Sequence, residues 1–248
     1  MLALENGRFV ARQAESRADI EAAQRLRYLT FFARGSAAYA RRDADAFDDR
    51  CTHILVEDRR SGDLVCCFRY MVLPGGDEIG HSYSAQFYGL DALEAFDGPM
   101  AELGRFCVHP AWGDADILRV AWAAMTKVVD REGIKMLFGC SSFAGTDAEG
   151  YLDAFAMLRE RHLAPKRWLP RVKAPDVFRF ARRLKRRPDQ RNALRTMPPL
   201  LRTYLVMGGW VSDHAVVDRD LGTLHVFTGL EIGTIPPARA RALRALAG

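Results

Sequence analysis

Ala101-Glu102-Leu103-Gly104-Arg105-Phe106-Cys107-Val108-His109 is the stretch on which the reading turns. It is apolar enough for a strand inside a sheet, yet it carries an acid and a base three residues apart. On a regular strand, positions 102 and 105 face opposite sides. A bulge at or near Gly104 brings both to one face, because glycine accepts bulge geometry, and bulges recur beside active sites. Two ordinary charges on a half-exposed strand are the plain alternative.

Working outward, Leu64–Leu73 reads as a second, almost wholly apolar strand with Arg69 as its one charge. Cys51–Asp58 reads as its hairpin partner across Ser61-Gly62. Upstream, Arg8–Gln13 reads as a strand and Ala18–Arg34 as a helix, with Ser16 and Asp19 as capping candidates. Ala22, Leu26, Leu29 and Ala33 fall at helical spacing as its buried stripe. Ala37–Arg50 is polar, with alternating acids and bases, and reads as a loop or short helix. Downstream come a helix over Ala115–Arg131, a strand over Lys135–Ser141 and a helix over Asp147–Arg161. The order β-α-β-β-β-α-β-α predicts the α/β class, a central mixed sheet flanked by helices. Leu163–Arg195, with Pro165, Pro170, Pro175 and Pro188, reads as a basic insertion. A helix over Pro198–Val206, strands over Trp210–Val217 and Leu224–Ile232, and a helix over Pro236–Ala247 complete a single domain spanning 1–248.

The 248 residues are 49% apolar and 27% charged, as expected of a globular chain. The longest apolar runs are too short or too interrupted to span a bilayer, and Met1–Val10 lacks the pattern of a signal peptide, so the expected location is the cytoplasm. The five cysteines, Cys51, Cys66, Cys67, Cys107 and Cys140, lack metal spacing and read as reduced core thiols; a nucleophilic Cys107 beside His109 is the sharper alternative. Net charge is +5, and from Arg179 to Arg195 eight basic residues stand against one acid, Asp189. Such a run attracts an acidic partner.

Burying an unpaired guanidinium is costly, so Arg69 requires an acid, a carbonyl or a ligand carboxylate; a structural ion pair is the alternative to a functional one. Either Arg25 or Arg27 on the first helix can aim at the sheet edge, against a solvated face as the plain reading. Asp45 and Asp48, spaced by three, share a face on a short helix and suit a cationic amine; a solvated turn fits equally. Phosphate-loop, dinucleotide-fold and nucleophile-elbow motifs are absent, as are His/Cys clusters with metal spacing. Nucleotide hydrolysis, dinucleotide redox chemistry and covalent serine catalysis lose weight accordingly.

Taken together, these pieces resemble the ornithine lipid-forming N-acyltransferases of the GNAT superfamily, relatives of the acyl-homoserine-lactone synthases. The likeness covers nearly the whole chain. It runs through Arg27-Tyr28, Asp45-x-x-Asp48, Cys51-Thr52-His53-Ile54-Leu55-Val56, Phe68-Arg69 and Glu102 to Pro110. It continues through Leu137–Phe143, Gly145-Thr146-Asp147, His162-Leu163-Ala164-Pro165, Met197–Tyr204 and Asp220-Leu221-Gly222-Thr223. The resemblance implies a GNAT-like fold and a cluster of Arg27, Asp45, Asp48, Arg69, Glu102 and Arg105. It further implies transfer of a 3-hydroxyacyl group from acyl carrier protein to the α-amine of ornithine, with no bound cofactor and no metal.

One departure bears on the donor. Coenzyme A-dependent GNAT enzymes cradle a pyrophosphate with a basic, glycine-bearing loop, whereas Pro110–Asp116 has two acids, no base and one glycine. Acyl carrier protein brings phosphopantetheine without that pyrophosphate, and it is acidic, as an anionic membrane surface would also be. On this reading Glu102 is the base, and Arg69 and Arg105 orient it or clamp the substrate carboxylate. Asp45 and Asp48 hold the acceptor's cationic side chain. Ser141 joins the substrate-binding set, and the backbone at Phe106, Cys107 and Val108 faces the thioester oxygen, the arm lying between the strands Ala101–Val108 and Lys135–Ser141. The alternatives are an acyl-homoserine-lactone synthase or another N-acyl amino acid synthase of the same fold. A nucleic-acid-binding module is disfavoured because aromatic residues are not interleaved through the basic run.

Overall fold

The structure is a computed structural model that describes residues 3–32 and 41–248. In chain order the strands are β1 (Ala3–Asn6), β2 (Phe9–Gln13), β3 (Thr52–Asp58), β4 (Leu64–Leu73), β5 (Tyr88–Gly89), β6 (Met100–Val108), β7 (Met136–Ala144), β8 (Arg171–Val172), β9 (Val177–Phe178), β10 (Trp210–Val211), β11 (Ala215–Asp218) and β12 (Thr223–Glu231). The helices are α1 (Arg17–Phe31), α2 (Ala115–Arg131), α3 (Leu152–Arg161), α4 (Phe180–Arg183), α5 (Gln190–Thr196), α6 (Pro199–Val206) and α7 (Pro237–Ala247). The class is mixed α/β, as the strand and helix order predicts. Among the described residues no helix is long and apolar enough to cross a membrane.

The chain divides into two compact units: 1–72 with 103–134 and 237–248, and 73–102 with 135–236. In the first unit the strand order is β1-β2-β3-β4-β6. β1 and β2 form a hairpin where one strand, Arg8–Gln13, is expected; Gly7, at φ +60°, supplies the left-handed turn position. β3 and β4 form the expected hairpin, with Gly62 at φ +77°. Ser16 caps α1: its hydroxyl accepts from the Asp19 N–H while the Asp19 carboxylate accepts from the Ser16 N–H, a reciprocal pair that satisfies two helix-end donors. The predicted end of this helix, and the expected stripe member Ala33, lie outside the described residues. Its buried face carries Ala23 and Leu26, with Gln24 and Arg27 beside them, so two polar residues share the core stripe. The apolar part packs on Leu55, Cys67 and Cys107. α2 starts at an Asp114 cap and ends before Gly133, matching the expected span.

In the second unit the order is β6-β7-β12-β11-β9, where β6 contributes its first residues, paired parallel to β7 through Glu102↔Phe138. The β7–β12 ladder is antiparallel and long, from Thr223↔Ala144 to Glu231↔Met136. On one face, Phe143, Leu224 and Val226 pack with Phe155, Phe180, Met197 and Leu201. The stretch Trp210–Val217, expected as one strand, is two. Ser212 interrupts it because its hydroxyl serves two backbone groups, donating to the His214 carbonyl and accepting from the Phe227 N–H. The expected irregular segment 81–99 folds as successive 3-10 turns with the short β5.

Candidate active site

The first unit builds a network of buried opposite charges. The Arg27 side chain is only 1% exposed, yet it reaches Asp43 at 2.7 Å and Asp48 at 2.6 Å. Arg69, from β4, donates to both oxygens of Asp45 at 2.6 and 2.7 Å and to Asp48. Arg105, from β6, donates to Asp43 and Asp45, each at 3.0 Å. Gln24 adds a bond to Asp48 at 2.8 Å. The Phe47 ring lies 5.8 Å from the Arg69 guanidinium. Three guanidinium groups thus meet three carboxylates, and the pairing balances the charge that burial would otherwise penalise.

Two of those carboxylates are filled. Asp48 Oδ1 accepts from Arg27 and Arg69, and its Oδ2 accepts from Gln24 and the Asp45 N–H. Asp45 Oδ1 accepts from Arg69 and the Phe47 N–H, and its Oδ2 accepts from Arg69 and Arg105. A carboxylate has about four acceptor positions. Burial pushes both acids upward, but the arginine hydrogen bonds and charges outweigh it: Asp45 lies below the usual carboxylate range and Asp48 falls to about 2. His53 packs beneath, its Nε2 3.0 Å from the Asp48 carbonyl, and burial lowers its pKa.

Arg105 has φ +51°, the one non-glycine residue with positive φ among those described. The backbone irregularity expected near Gly104 therefore falls on Arg105 itself. A non-glycine residue in that region is uncommon and persists where surrounding contacts over-determine it. Here the contacts are its two carboxylate partners.

The second unit holds Glu102 at the head of β6. Its Oε2 accepts from the Tyr83 N–H at 2.7 Å; its Oε1 accepts from the Ser84 N–H at 2.7 Å and the Ser84 hydroxyl at 2.6 Å. Ser84 is fully buried, and Cys140 Sγ lies 3.5 Å from its hydroxyl. The turn 82–86 therefore wraps the carboxylate with two backbone donors and one side-chain donor, an arrangement that favours the anion. Lys173 Nζ donates to the Ala85 carbonyl at 2.6 Å and ties the turn to the predicted insertion. Ser141 lies on the sheet face opposite Glu102, since Glu102 aligns with Phe138 and residue 141 alternates away from it; its hydroxyl accepts from Thr228 at 2.9 Å.

Of the expected cluster, the structure joins Arg27, Asp45, Asp48, Arg69 and Arg105 in one network, and it sets Glu102 in the Tyr83–Ser84 turn. Arg25 points elsewhere, 3.8 Å from Glu21. Cys107 is buried with its Sγ 3.5 Å from Cys67, while the His109 ring accepts from the Ala111 N–H, so the two do not form a nucleophile–base pair. Asp43 and Ser84 are absent from the sequence reading. The spacing Asp43-x-Asp45-x-x-Asp48 was the available signal for Asp43; nothing in the sequence marks Ser84. Among the described residues no group of three His, Cys, Asp or Glu side chains could hold a metal ion.

A carboxylate fixed by two backbone donors and a hydroxyl on a sheet strand fits a proton acceptor in direct group transfer. The class is borne out by comparison: residues 26–123 match the acetyltransferase (GNAT) domain family, and the protein is an acyltransferase. The L-ornithine N(alpha)-acyltransferase of Rhodobacter capsulatus is 34% identical over 226 residues, covering 87% of this chain and 86% of the relative. That of Brucella abortus is 33% identical, covering 92% and 86%. The chain belongs to the L-ornithine N(alpha)-acyltransferase family. Among solved structures, an N-acyl amino acid synthase from uncultured soil microbes aligns over 97% of both chains at 11% identity and a TM-score of 0.48.

Proposed function

We propose that this protein acylates the α-amine of L-ornithine, taking a 3-hydroxyacyl group from the thioester of acyl carrier protein to make lyso-ornithine lipid. The single observation that carries the reading is the identity of 33–34% to L-ornithine N(alpha)-acyltransferases over most of both chains. The neutral amine attacks the thioester carbonyl, the C–N bond forms, the C–S bond breaks and the pantetheine thiol departs with a proton. Glu102 accepts the proton that the amine sheds, directly or through a water, and passes it to the departing thiolate. Backbone N–H groups at Phe106, Cys107 and Val108, further along the same strand, serve the developing oxyanion.

In this mechanism the charged network is the frame. Asp45 and Asp48 have their acceptor positions occupied, so they fix Arg69 and Arg105 rather than take up the ornithine side chain themselves. Arg105, whose side chain is the most exposed of the three at 11%, belongs to the same frame through Asp43 and Asp45. The carrier-protein donor is supported at the start of α2. The Asp114 carboxylate caps that helix and Asp116 sits in its first turn, so a coenzyme A pyrophosphate would meet two acids there. The product is an amphiphile, which supports a peripheral position for the working enzyme on the inner face of the cytoplasmic membrane.

Purified protein supplied with 3-hydroxyacyl carrier protein, or with the matching coenzyme A thioester, tests the donor; ornithine, lysine, glutamine and S-adenosylmethionine test the acceptor. Acyl-ornithine formed from the carrier thioester is expected, read by mass spectrometry. An acyl lactone from S-adenosylmethionine would overturn the acceptor, and equal rates from both thioesters would overturn the donor.

A further inference from the structure

The second unit carries an unusual face around α5 and α6. Both helices bury one side, Ala193 of α5 and Leu201 of α6 entering the core that holds Phe155 and Leu158, with Met197 between them. Their outer sides are a different matter. On α5, Arg191, Leu194 and Arg195 are exposed at helical spacing; on α6, Arg202 and Val206 are. Leu194 and Val206, at 50% and 55%, are the most exposed large apolar residues among those described.

The charge is just as one-sided. From residue 182 to residue 206 there are eight basic side chains and one acid, Asp189, which is spent capping α5. Elsewhere several surface arginines meet acids: Arg8 with Asp58, Arg12 with Asp19 and Glu57, Arg219 with Asp176, Arg244 with Asp130. Among the described residues, only Arg186 within this stretch has a carboxylate partner, Asp153. Exposed apolar side chains set among basic ones have a specific use: the apolar groups enter the headgroup boundary while the guanidinium groups pair with lipid phosphates.

We propose that the outer face of α5 and α6 docks on an anionic phospholipid bilayer, with Leu194 and Val206 inserted and Arg191, Arg195 and Arg202 on the phosphates. This rests on the functional reading only in that the product is a lipid; the docking itself is independent of turnover. Each basic side chain near such a surface strengthens binding about fivefold. An acidic carrier protein is the competing partner, and charge alone does not separate the two. The pair of open apolar side chains favours the bilayer.

The test uses the full chain with vesicles of phosphatidylglycerol mixed into phosphatidylcholine, and with phosphatidylcholine alone, read by co-sedimentation. Binding only to the anionic vesicles is expected. The triple variant Arg191→Glu, Arg195→Glu, Arg202→Glu loses that binding by more than about a hundredfold. L194S with V206S leaves a residual attachment that salt removes fully. Melting temperatures confirm that both variants fold, and both keep wild-type turnover of a short-chain carrier thioester in solution. Failure to bind anionic vesicles, or equal binding to neutral ones, would overturn the proposal. So would charge-reversed protein that still binds vesicles while its KM for carrier protein rises. Docking with no acyl-ornithine formed would instead sink the functional reading alone.

Discussion

Replacing Ser84 by alanine tests whether the turn around Glu102 serves the chemistry. The hydroxyl is fully buried and donates to Glu102 Oε1 at 2.6 Å, so no water can readily replace it. A hydrogen bond to a charged group contributes about 1.5–3 kcal/mol. Two backbone donors from Tyr83 and Ser84 remain after the change, which keeps the carboxylate in place but leaves it less firmly oriented. The loss should fall on kcat, by roughly 10- to 100-fold, with little change in the KM for ornithine. S84T, which retains the hydroxyl, should recover part of the rate. The decisive measurement is a double-mutant cycle with E102Q, following acyl-ornithine formation by mass spectrometry. If Ser84 acts through Glu102, then S84A in the E102Q background slows the enzyme no further, within about threefold. Independent multiplication of the two effects would refute the argument, as would an S84A variant at full speed.

Three other outcomes follow from the same geometry. D48N leaves Arg27 and Arg69 short of a charge partner in a buried network and should cost about 3–5 kcal/mol, measured as a fall in urea midpoint at constant m. Burial, and then the nearby charge of His214, lowers His225 to about 4, so the folded state binds fewer protons than the unfolded state below the ordinary histidine pKa of about 6.5. Stability present above that value is then lost as pH falls toward 4; unfolding at pH 5 should show a loss on the order of 2 kcal/mol, and H225Q should flatten that slope. At Arg105, with φ +51°, R105N and R105V both forfeit the ion pairs, but valine adds left-handed strain and should melt lower by about 1 kcal/mol or more.

Much of the scaffold was legible because its signals are local. α2 matches its expected span, with Asp114 before it and Gly133 after it, both cues that act within one turn. The β1–β2 hairpin was equally marked by Asn6-Gly7, but its strands are too short for alternation to declare them. The break at Ser212 was not legible, since what breaks the strand is a hydrogen bond from Phe227, far along the chain. The site divides the same way. Arg69 announces itself as a charge within an apolar strand. Asp43 does not, because the segment that carries it has no periodicity beyond a turn over Asp48–Arg50, and it reads as solvated until Arg27 and Arg105 are seen to bury it. Ser84 is one serine in an irregular stretch; only the return of β6 gives it a partner.

The charged network and the Glu102 turn carry different burdens. In the charged network each partner is committed: Arg27 comes from α1, Arg69 from β4, Arg105 from β6, and the acids come from the segment between α1 and β3. Admitting a substrate ammonium to Asp45 or Asp48 would mean displacing a guanidinium, and the displaced group would be stranded in a buried place. Such a set ties several elements together and resists exchange, so it suits a frame better than a binding pocket. Glu102 differs in kind. Two of its donors are backbone N–H groups, which neither titrate nor leave, so the carboxylate is held in place by the fold itself. Damage to the network should therefore appear first as lost stability, and damage at Glu102 and Ser84 as lost rate in a protein that still folds.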